Sequence, residues 1–146
     1  MNIEYIRDNY VFEKLNEKHN LDSFECGIED LNNFLKKDAL KQQKLNLNLT
    51  FLVLCDDVII GYVSILTDTM KLKIVEDEKT KNKIENELNI SENNELPAIK
   101  IGRFAIDKRY TKQGLGTHIF FNVLLSLLKL SKSKFGLNLL LLKHMP

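Results

Sequence analysis

The segment IGRFAIDKRYTKQGLGT, residues 101–117, joins an apolar run to a polar loop with two glycines. Residues 96–106 are apolar almost throughout, which predicts a strand buried on both faces, with Pro97 at its start. From Gly114 onward, apolar residues recur every three or four positions, which predicts an amphipathic helix. These recurring residues are Leu115, Ile119, Val123, Leu127 and Leu130. The segment therefore predicts a strand, a loop and a helix in direct succession.

A helix that begins at this loop offers a binding site for an anion. The first N–H groups of a helix have no partner within it and carry a partial positive charge, so phosphate groups bind there. Glycines let the backbone approach such a ligand closely, because no Cβ intrudes. The residues expected to surround the anion are Arg109, Lys112, Gln113, Gly114, Leu115, Gly116 and Thr117. A tight turn followed by a helix cap explains the glycines equally well, and the segment alone leaves both interpretations open.

Two common phosphate-binding motifs do not fit this segment. A P-loop has a Lys-Ser or Lys-Thr pair after its second glycine, and none follows Gly116. The dinucleotide fingerprint begins directly after the strand, whereas the polar residues 107–113 intervene here. If the loop binds a phosphate, it does so in a different type of fold.

The rest of the chain alternates strands and helices. Residues 10–17 predict a first strand, and residues 49–66 predict a β-hairpin that turns at Asp56 and Asp57. The polar residues 71–95 predict an exposed insertion with one short surface helix near Ile84 and Leu88. An amphipathic helix is expected over residues 28–44, where Ile28, Leu31, Leu35 and Ala39 recur at helical spacing. Its lysines, Lys37, Lys41 and Lys44, are expected to form a solvated face.

Composition predicts one cytoplasmic domain over residues 1–146. Apolar residues make up 44% of the chain and the net charge is +1, so there is a real core and no overall basic excess for nucleic acid. Cys26 and Cys55 lack metal-ligand spacing, so we expect reduced core thiols and no metal site. No secretory signal and no run of about 18 apolar residues is found, so no membrane association is expected.

The segment at 101–117 resembles the strand, pyrophosphate loop and helix of the GNAT superfamily of acetyl-CoA-dependent N-acetyltransferases. Residues 19–39 (HNLDSFECGIEDLNNFLKKDA) are similar to a subgroup with a Phe-x-Cys-Gly element followed by Leu-x-x-Phe-Leu. Residues 59–65 (IIGYVSI) match the strand that follows, and the resemblance runs from about residue 12 to residue 132. The subgroup includes toxins of toxin–antitoxin pairs that acetylate the amino group of aminoacyl-tRNA.

The resemblance implies an α/β domain with a mixed, twisted sheet and helices on both faces. It also implies acetyl-CoA as co-substrate, with its pyrophosphate on the loop and its pantetheine arm along the central strand. One amide in the strand end, formed by Phe104, Ala105 and Ile106, would hold the thioester oxygen. The acceptor would be a primary amine, with aminoacyl-tRNA as the candidate, and an antitoxin a possible partner.

The sequence departs from the family pattern at two places. Thr111 stands where the loop motif has Gln or Arg, which weakens one side-chain contact to the pyrophosphate. In the family, a diverging strand, a helix with a general-acid tyrosine and a last strand follow. Here Leu137–Leu142 is the candidate for the diverging strand, and we expect the domain to be truncated beyond it. Tyr110 belongs to the loop, so the catalytic residues stay unassigned.

Several alternatives follow from these departures. Asp107 and Glu95 are candidate bases by sequence proximity, but surface acids at strand ends explain them better, and none of His19, His118 and His144 is given a catalytic role. The chain could instead be a non-catalytic acyl-CoA-binding remnant, or an acetyltransferase for a small amine or a protein N-terminus. Missing strands would leave an open sheet edge, so we expect a homodimer or larger homo-oligomer.

Overall fold

The computed structural model describes residues 1–71 and 76–134. Five helices and four strands form the described part of the chain. In chain order they are α1 (Ile3–Asn9), β1 (Val11–Lys14), α2 (Glu29–Asn33), a π-helical turn (Phe34–Asp38), α3 (Ala39–Lys44), β2 (Leu49–Cys55), β3 (Val58–Lys71), α4 (Glu78–Leu88), β4 (Glu95–Ile106), a 3₁₀ turn (Lys108–Tyr110) and α5 (Leu115–Lys134). None of the helices in these ranges is long and apolar enough to cross a membrane.

The four strands form one antiparallel sheet in the order β1-β2-β3-β4. The predicted hairpin is confirmed: β2 and β3 are joined by Asp56 and Asp57, whose φ angles of 49° and 64° suit a tight two-residue turn. A parallel strand is not present among the described residues, and the candidate diverging strand Leu137–Leu142 lies outside them. On its other side β4 has no neighbouring strand within the described ranges.

Two β-bulges set which side chains face which side of the sheet. Ile60 is the extra residue of β3 opposite β2, and Gly102 is the extra residue of β4 opposite β3. A bulge reverses the alternation of side chains along a strand. Because of Gly102, Ile101 packs against α5, whereas Arg103 contacts Phe34 on the opposite face.

Helices cover both faces of the sheet, as expected. On the face that we call the α2–α3 face, Phe34 and Leu35 pack on Leu52 and Tyr62. The π-helical turn begins at Phe34, where the amide of Ala39 bonds to the Phe34 carbonyl five residues back. The predicted helix over residues 28–44 is confirmed, but Ile28 is its N-terminal cap and is 55% exposed rather than part of the core.

The opposite face, which we call the α5 face, is covered by α1 and α5. Helix α5 buries Leu115, Ile119, Val123 and Leu127 as predicted, whereas Leu130 is exposed. Helix α1 was not expected from the sequence. Its cap is a local signal: the Asn2 side chain accepts a hydrogen bond from the Tyr5 amide at 2.7 Å.

The expected insertion is a surface feature at the end of a long hairpin. Strands β3 and β4 pair as far as Lys71 and Glu95, and α4 lies between them with Leu88 exposed. The first strand is shorter than expected and ends at Lys14, after which Leu15 turns into the core. Both cysteines are free; Cys55 is buried and Cys26 half-buried, in agreement with thiols of the core.

Candidate acyl-CoA site

The end of β4 and the start of α5 lie side by side. Ile106 packs against Leu115 and Ile119 in one apolar cluster, which places the first turn of α5 over the last residue of the strand. A Cβ built on Gly116 would lie 3.5 Å from Ile106 Cγ1, an ordinary contact distance. The predicted order of strand, loop and helix is therefore confirmed, and the packing fixes the helix start relative to the strand end.

The loop places free amides at the start of α5. Gln113 and Gly114 both adopt left-handed conformations, with φ of 56° and 70°. The Leu115 amide donates to the Lys112 carbonyl at 3.2 Å, and the His118 amide donates to the Gly114 carbonyl at 3.0 Å. The amides of Gly116 and Thr117 have no acceptor within the described ranges. Two free amides at a helix N-terminus are a binding site for an anionic oxygen.

In the part of the chain that the structure describes, one edge of β4 has no partner strand, and this open edge supplies further backbone donors. The Asp107 amide points toward β3, because it donates to the Ile60 carbonyl at 2.8 Å. Successive N–H groups of a strand point to opposite sides. The amides of Phe104 and Ile106 therefore point to the open edge, while that of Ala105 points to β3. Among the three residues of the strand end, Phe104 and Ile106 are the ones whose amides can meet a ligand lying along the edge.

The side chains of the strand end are structural. The Phe104 ring meets the Phe120 ring edge-to-face at 5.3 Å, which packs the strand against α5. Ala105 lies on the α2–α3 face beside Tyr62, and Ile106 lies on the α5 face. Both faces of this part of β4 are buried, as the apolar run predicts. What the strand end offers a ligand is thus its backbone.

Asp107 is not a surface acid, contrary to the interpretation from sequence. It is fully buried, and its carboxylate accepts four hydrogen bonds: from Arg109 Nε at 3.0 Å, from Arg109 Nη2 at 2.9 Å, from the Arg109 amide at 3.0 Å and from the Glu25 amide at 3.1 Å. Burial by itself raises the pKa of Asp107, but these hydrogen bonds outweigh it and hold the pKa below its ordinary value. A carboxylate held in the charged form by four donors is unsuited to act as a base.

The other candidate base is far from the loop. Glu95 is exposed at the start of β4 and pairs with Lys71, whereas Asp107 follows the end of the same strand. The two acids are therefore separated by the length of the strand. From the sequence alone the two acids have the same interpretation, because each lies next to an apolar run.

The loop side chains divide into two groups. Arg109 is bound to Asp107, and Thr111 donates to the Lys108 carbonyl at 3.2 Å, so both stabilise the loop itself. The hydroxyl of Thr111, at the position where the family motif has Gln or Arg, is thus used within the loop, although the residue is exposed. Lys112 and Thr117 are exposed beside the free amides. The expected site has two cations, and because Arg109 is paired with Asp107, Lys112 is the one that can contact a ligand.

His118 lies at the site although the sequence gave no reason to choose it. Its Nδ1 is 3.2 Å from the hydroxyl of Tyr10, which also accepts from Asn122 Nδ2 at 2.7 Å. These contacts attach α1 to the first turns of α5. A groove of about 500 Å³ starts here and follows the outer side of α5. It is lined by Gly114, Thr117, His118, Phe121, Asn122 and Leu125.

The fold defined by this sheet, its two helical layers and the loop is GNAT-like, and solved structures share it. No protein-family model matches the chain. A Tyr-to-Phe mutant of KacT is 22% identical with a TM-score of 0.70, covering 86% of this chain and 73% of that one. AtaT complexed with acetyl-methionyl-tRNAfMet is 19% identical with a TM-score of 0.71, covering 86% and 72%. At these identities the likeness establishes the fold.

A third structure is the AtaT mutant toxin bound to the C-terminus of the antitoxin AtaR and acetyl-CoA. It is 21% identical to this chain with a TM-score of 0.63, covering 87% of this chain and 70% of that one. The predicted fold class is thereby confirmed. In each case the chain aligns with about seven tenths of its neighbour.

Proposed function

We propose that the protein is an acetyl-CoA-dependent N-acetyltransferase that acts on the amino group of aminoacyl-tRNA. The observation that supports this most directly is that the amides of Gly116 and Thr117, and the outward amides of the neighbouring strand end, have no partner among the described residues. AtaT, which shares the fold, has been solved with acetyl-methionyl-tRNAfMet and also with acetyl-CoA. The site residues of this chain are of the kind that such a co-substrate requires.

The described residues fit acetyl-CoA at three points. The amides of Gly116 and Thr117, with Lys112 beside them, suit the pyrophosphate. The outward amides of Phe104 and Ile106 suit the pantetheine arm and the thioester carbonyl, which would add to the open edge of β4 like a further strand. The groove that begins at Gly114 has an apolar wall at Phe121 and Leu125. This wall suits the adenine end of acetyl-CoA, which lies beyond the pyrophosphate.

The reaction is acyl transfer from a thioester to an amine. The amine nitrogen attacks the carbonyl carbon, the carbon–nitrogen bond forms and the carbon–sulfur bond breaks. The thiolate takes up a proton and the amine loses one, so no redox partner is needed. The amide of Phe104 or Ile106 would stabilise the developing negative charge on the carbonyl oxygen, and one such donor contributes about 3 kcal/mol. An α-amine has a pKa of about 8, so about a tenth of it is neutral at pH 7.

Neither Asp107 nor Tyr110 qualifies as the general acid or base. Asp107 is bound by four donors, and the Tyr110 side chain is packed in the apolar cluster beneath α5. The roles that we assign to this chain are those of its backbone and of Lys112, which bind the co-substrate and orient its carbonyl. We expect the protein to work in the cytoplasm, where acetyl-CoA and aminoacyl-tRNA meet. An antitoxin is the partner proposed by analogy with AtaT.

The test is turnover, measured as thiol released from acetyl-CoA. Purified protein would be given acetyl-CoA with aminoacyl-tRNA, with deacylated tRNA as the matched control, and separately with a small amine or a peptide with a free N-terminus. Release that requires the aminoacyl group on tRNA supports the proposal. Thiol release with the small amine or the peptide alone would overturn the proposal that aminoacyl-tRNA is the acceptor. Coenzyme A binding without thiol release with any acceptor would show that the protein is a non-catalytic binding remnant.

A further inference from the structure

Arg103 has a guanidinium group for which the described residues supply no acceptor. Its central carbon lies 3.8 Å from the centroid of the Phe34 ring, so the planar group stacks on the aromatic face. It makes no hydrogen bond or ion pair with any residue in the ranges 1–71 and 76–134. The chain has two other arginines: Arg109 is bound to Asp107, and Arg7 lies on the surface 4.0 Å from Asp8.

Two buried hydroxyl groups lie in line with Arg103. In the sheet register, Thr50 of β2 is opposite Ser64 of β3, and Ser64 is opposite Arg103 of β4. Directly opposed residues share a face, so the three side chains form a row on the α2–α3 face. Thr50 and Ser64 are fully buried, and neither hydroxyl oxygen has a hydrogen-bond partner among the residues that the structure describes. Buried hydroxyl groups are normally paired, so two neighbouring exceptions indicate a missing ligand or water.

This row is separate from the acyl-CoA site. The α5 helix and its free amides lie on one face of the sheet, whereas Arg103 stacks on Phe34 on the other. Arg103 nevertheless immediately precedes Phe104, whose amide points to the edge where the thioester is proposed to bind. A group held by Arg103 would therefore approach the reacting carbonyl from the side opposite α5.

We propose that Arg103, with the hydroxyl of Ser64 beside it, binds an oxyanion of the acceptor, either a phosphate or a carboxylate. A guanidinium group presents several N–H donors in a planar fork that matches two oxygens of either group. Stacking on Phe34 fixes the plane of that fork before the ligand arrives. The Ser64 hydroxyl supplies a third donor. That the bound oxyanion belongs to the acceptor rests on the proposed function. That Arg103 binds an oxyanion at all does not.

The site is tested by NMR of the arginine Nε–H groups, of which the chain has only three. Inorganic phosphate and, separately, acetate would be titrated at constant ionic strength set with chloride. We expect the Arg103 signal, identified by its loss in Arg103→Lys, to shift and saturate, while the Arg7 signal stays in place. The anion that saturates the Arg103 shift at the lower concentration shows whether the site binds a phosphate or a carboxylate of the acceptor. A static Arg103 signal, or one that moves only in step with Arg7, would overturn the site.

Kinetics then separate this proposal from the proposed function. Arg103→Gln is expected to raise the KM for the acceptor at least tenfold and leave acetyl-CoA binding unchanged, because the two sites lie on opposite faces. Ser64→Ala is expected to raise the same KM by a smaller factor. An unchanged acceptor KM in a folded Arg103→Gln protein would refute the role in acceptor binding. If the wild type shows no turnover, the proposed function fails while the NMR titration still decides the site.

Discussion

The Asp107 carboxylate and the Arg109 guanidinium form a bidentate ion pair, with Asp107 fully buried and Arg109 half exposed. The pair connects two segments far apart in sequence. The Glu25 amide donates to Asp107, and the Lys108 amide donates to the Glu25 carbonyl at 2.8 Å. The loop that carries the candidate site is thereby attached to the segment just before α2.

Asp107→Asn is expected to lower the free energy of unfolding by about 2 kcal/mol, because it leaves buried donors without a charged acceptor. The folded pKa of Asp107 is below its ordinary value, so the stability it contributes is present above about pH 4, the unfolded pKa, and is lost as the pH falls through the folded pKa. The difference between variant and wild type should thus shrink below about pH 4. Urea unfolding at pH 7 and pH 3 measures it.

The exposed Asp22→Asn variant is the control for this prediction, since the Asp22 carboxylate takes part in no hydrogen bond within the described ranges. It should unfold like the wild type at both pH values. Equal losses of stability at pH 7 and pH 3 in Asp107→Asn would contradict a charged, bound carboxylate.

Gly61→Ala is expected to destabilise the pairing of β3 with β4 by about 3 kcal/mol. A Cβ at this position would lie 2.5 Å from the Ala105 carbonyl oxygen, so the backbone of β4 has to move. Gly116→Ala is the matched comparison, because its Cβ would be 3.5 Å from Ile106 Cγ1. Thermal unfolding should show a large decrease for the first variant and little change for the second. Similar melting temperatures would mean that β3 and β4 are farther apart than described.

Within the described ranges one edge of β4 is unpaired, and we therefore expect a dimer or larger homo-oligomer. An unpaired strand exposes backbone donors and acceptors, and a second chain can pair with the part of β4 before Phe104, where the pantetheine arm is not proposed to lie. Light scattering over a range of concentrations measures the mass directly. A stable monomer at every concentration would contradict this expectation.

Thr117→Glu is expected to reduce coenzyme A affinity by at least about tenfold, because it puts a negative charge beside the amides proposed to bind the pyrophosphate. Glutamine has nearly the same shape as glutamate but no charge, so the Thr117→Gln variant should bind coenzyme A nearly as well as the wild type. Thr117 is exposed, so neither change is expected to disturb the fold. Isothermal calorimetry with coenzyme A compares them. Equal affinities for the two variants would place the pyrophosphate elsewhere.

The elements that could be predicted from sequence are those with a local cause. The apolar periodicity from Leu115 and the apolar run before Asp107 define α5 and β4, and the turn at Asp56 defines the hairpin. The bulge at Gly102 could not be foreseen, because it depends on the register between two strands. Its consequence, Arg103 facing Phe34, was therefore missed as well.

The interpretation of Asp107 failed for a related reason. An acid after an apolar run is usually exposed, and only the fold brings the Glu25 amide within 3.1 Å of its carboxylate. Arg109, two residues later, was the available signal, since a cation at that spacing can return to the carboxylate of a turn. The start of α5 next to Gly116 and Thr117 needed no tertiary information, because the apolar periodicity after the loop defines it; phosphate binding at these amides stays a prediction.

The most direct test of the central claim is to titrate ¹⁵N-labelled protein with coenzyme A and follow the backbone amides. We predict that the largest shifts occur at Gly116 and Thr117 and at the outward amides of Phe104 and Ile106, while the inward amide of Ala105 shifts less. No saturable shift, or shifts confined to residues away from the loop and the strand end, would contradict it.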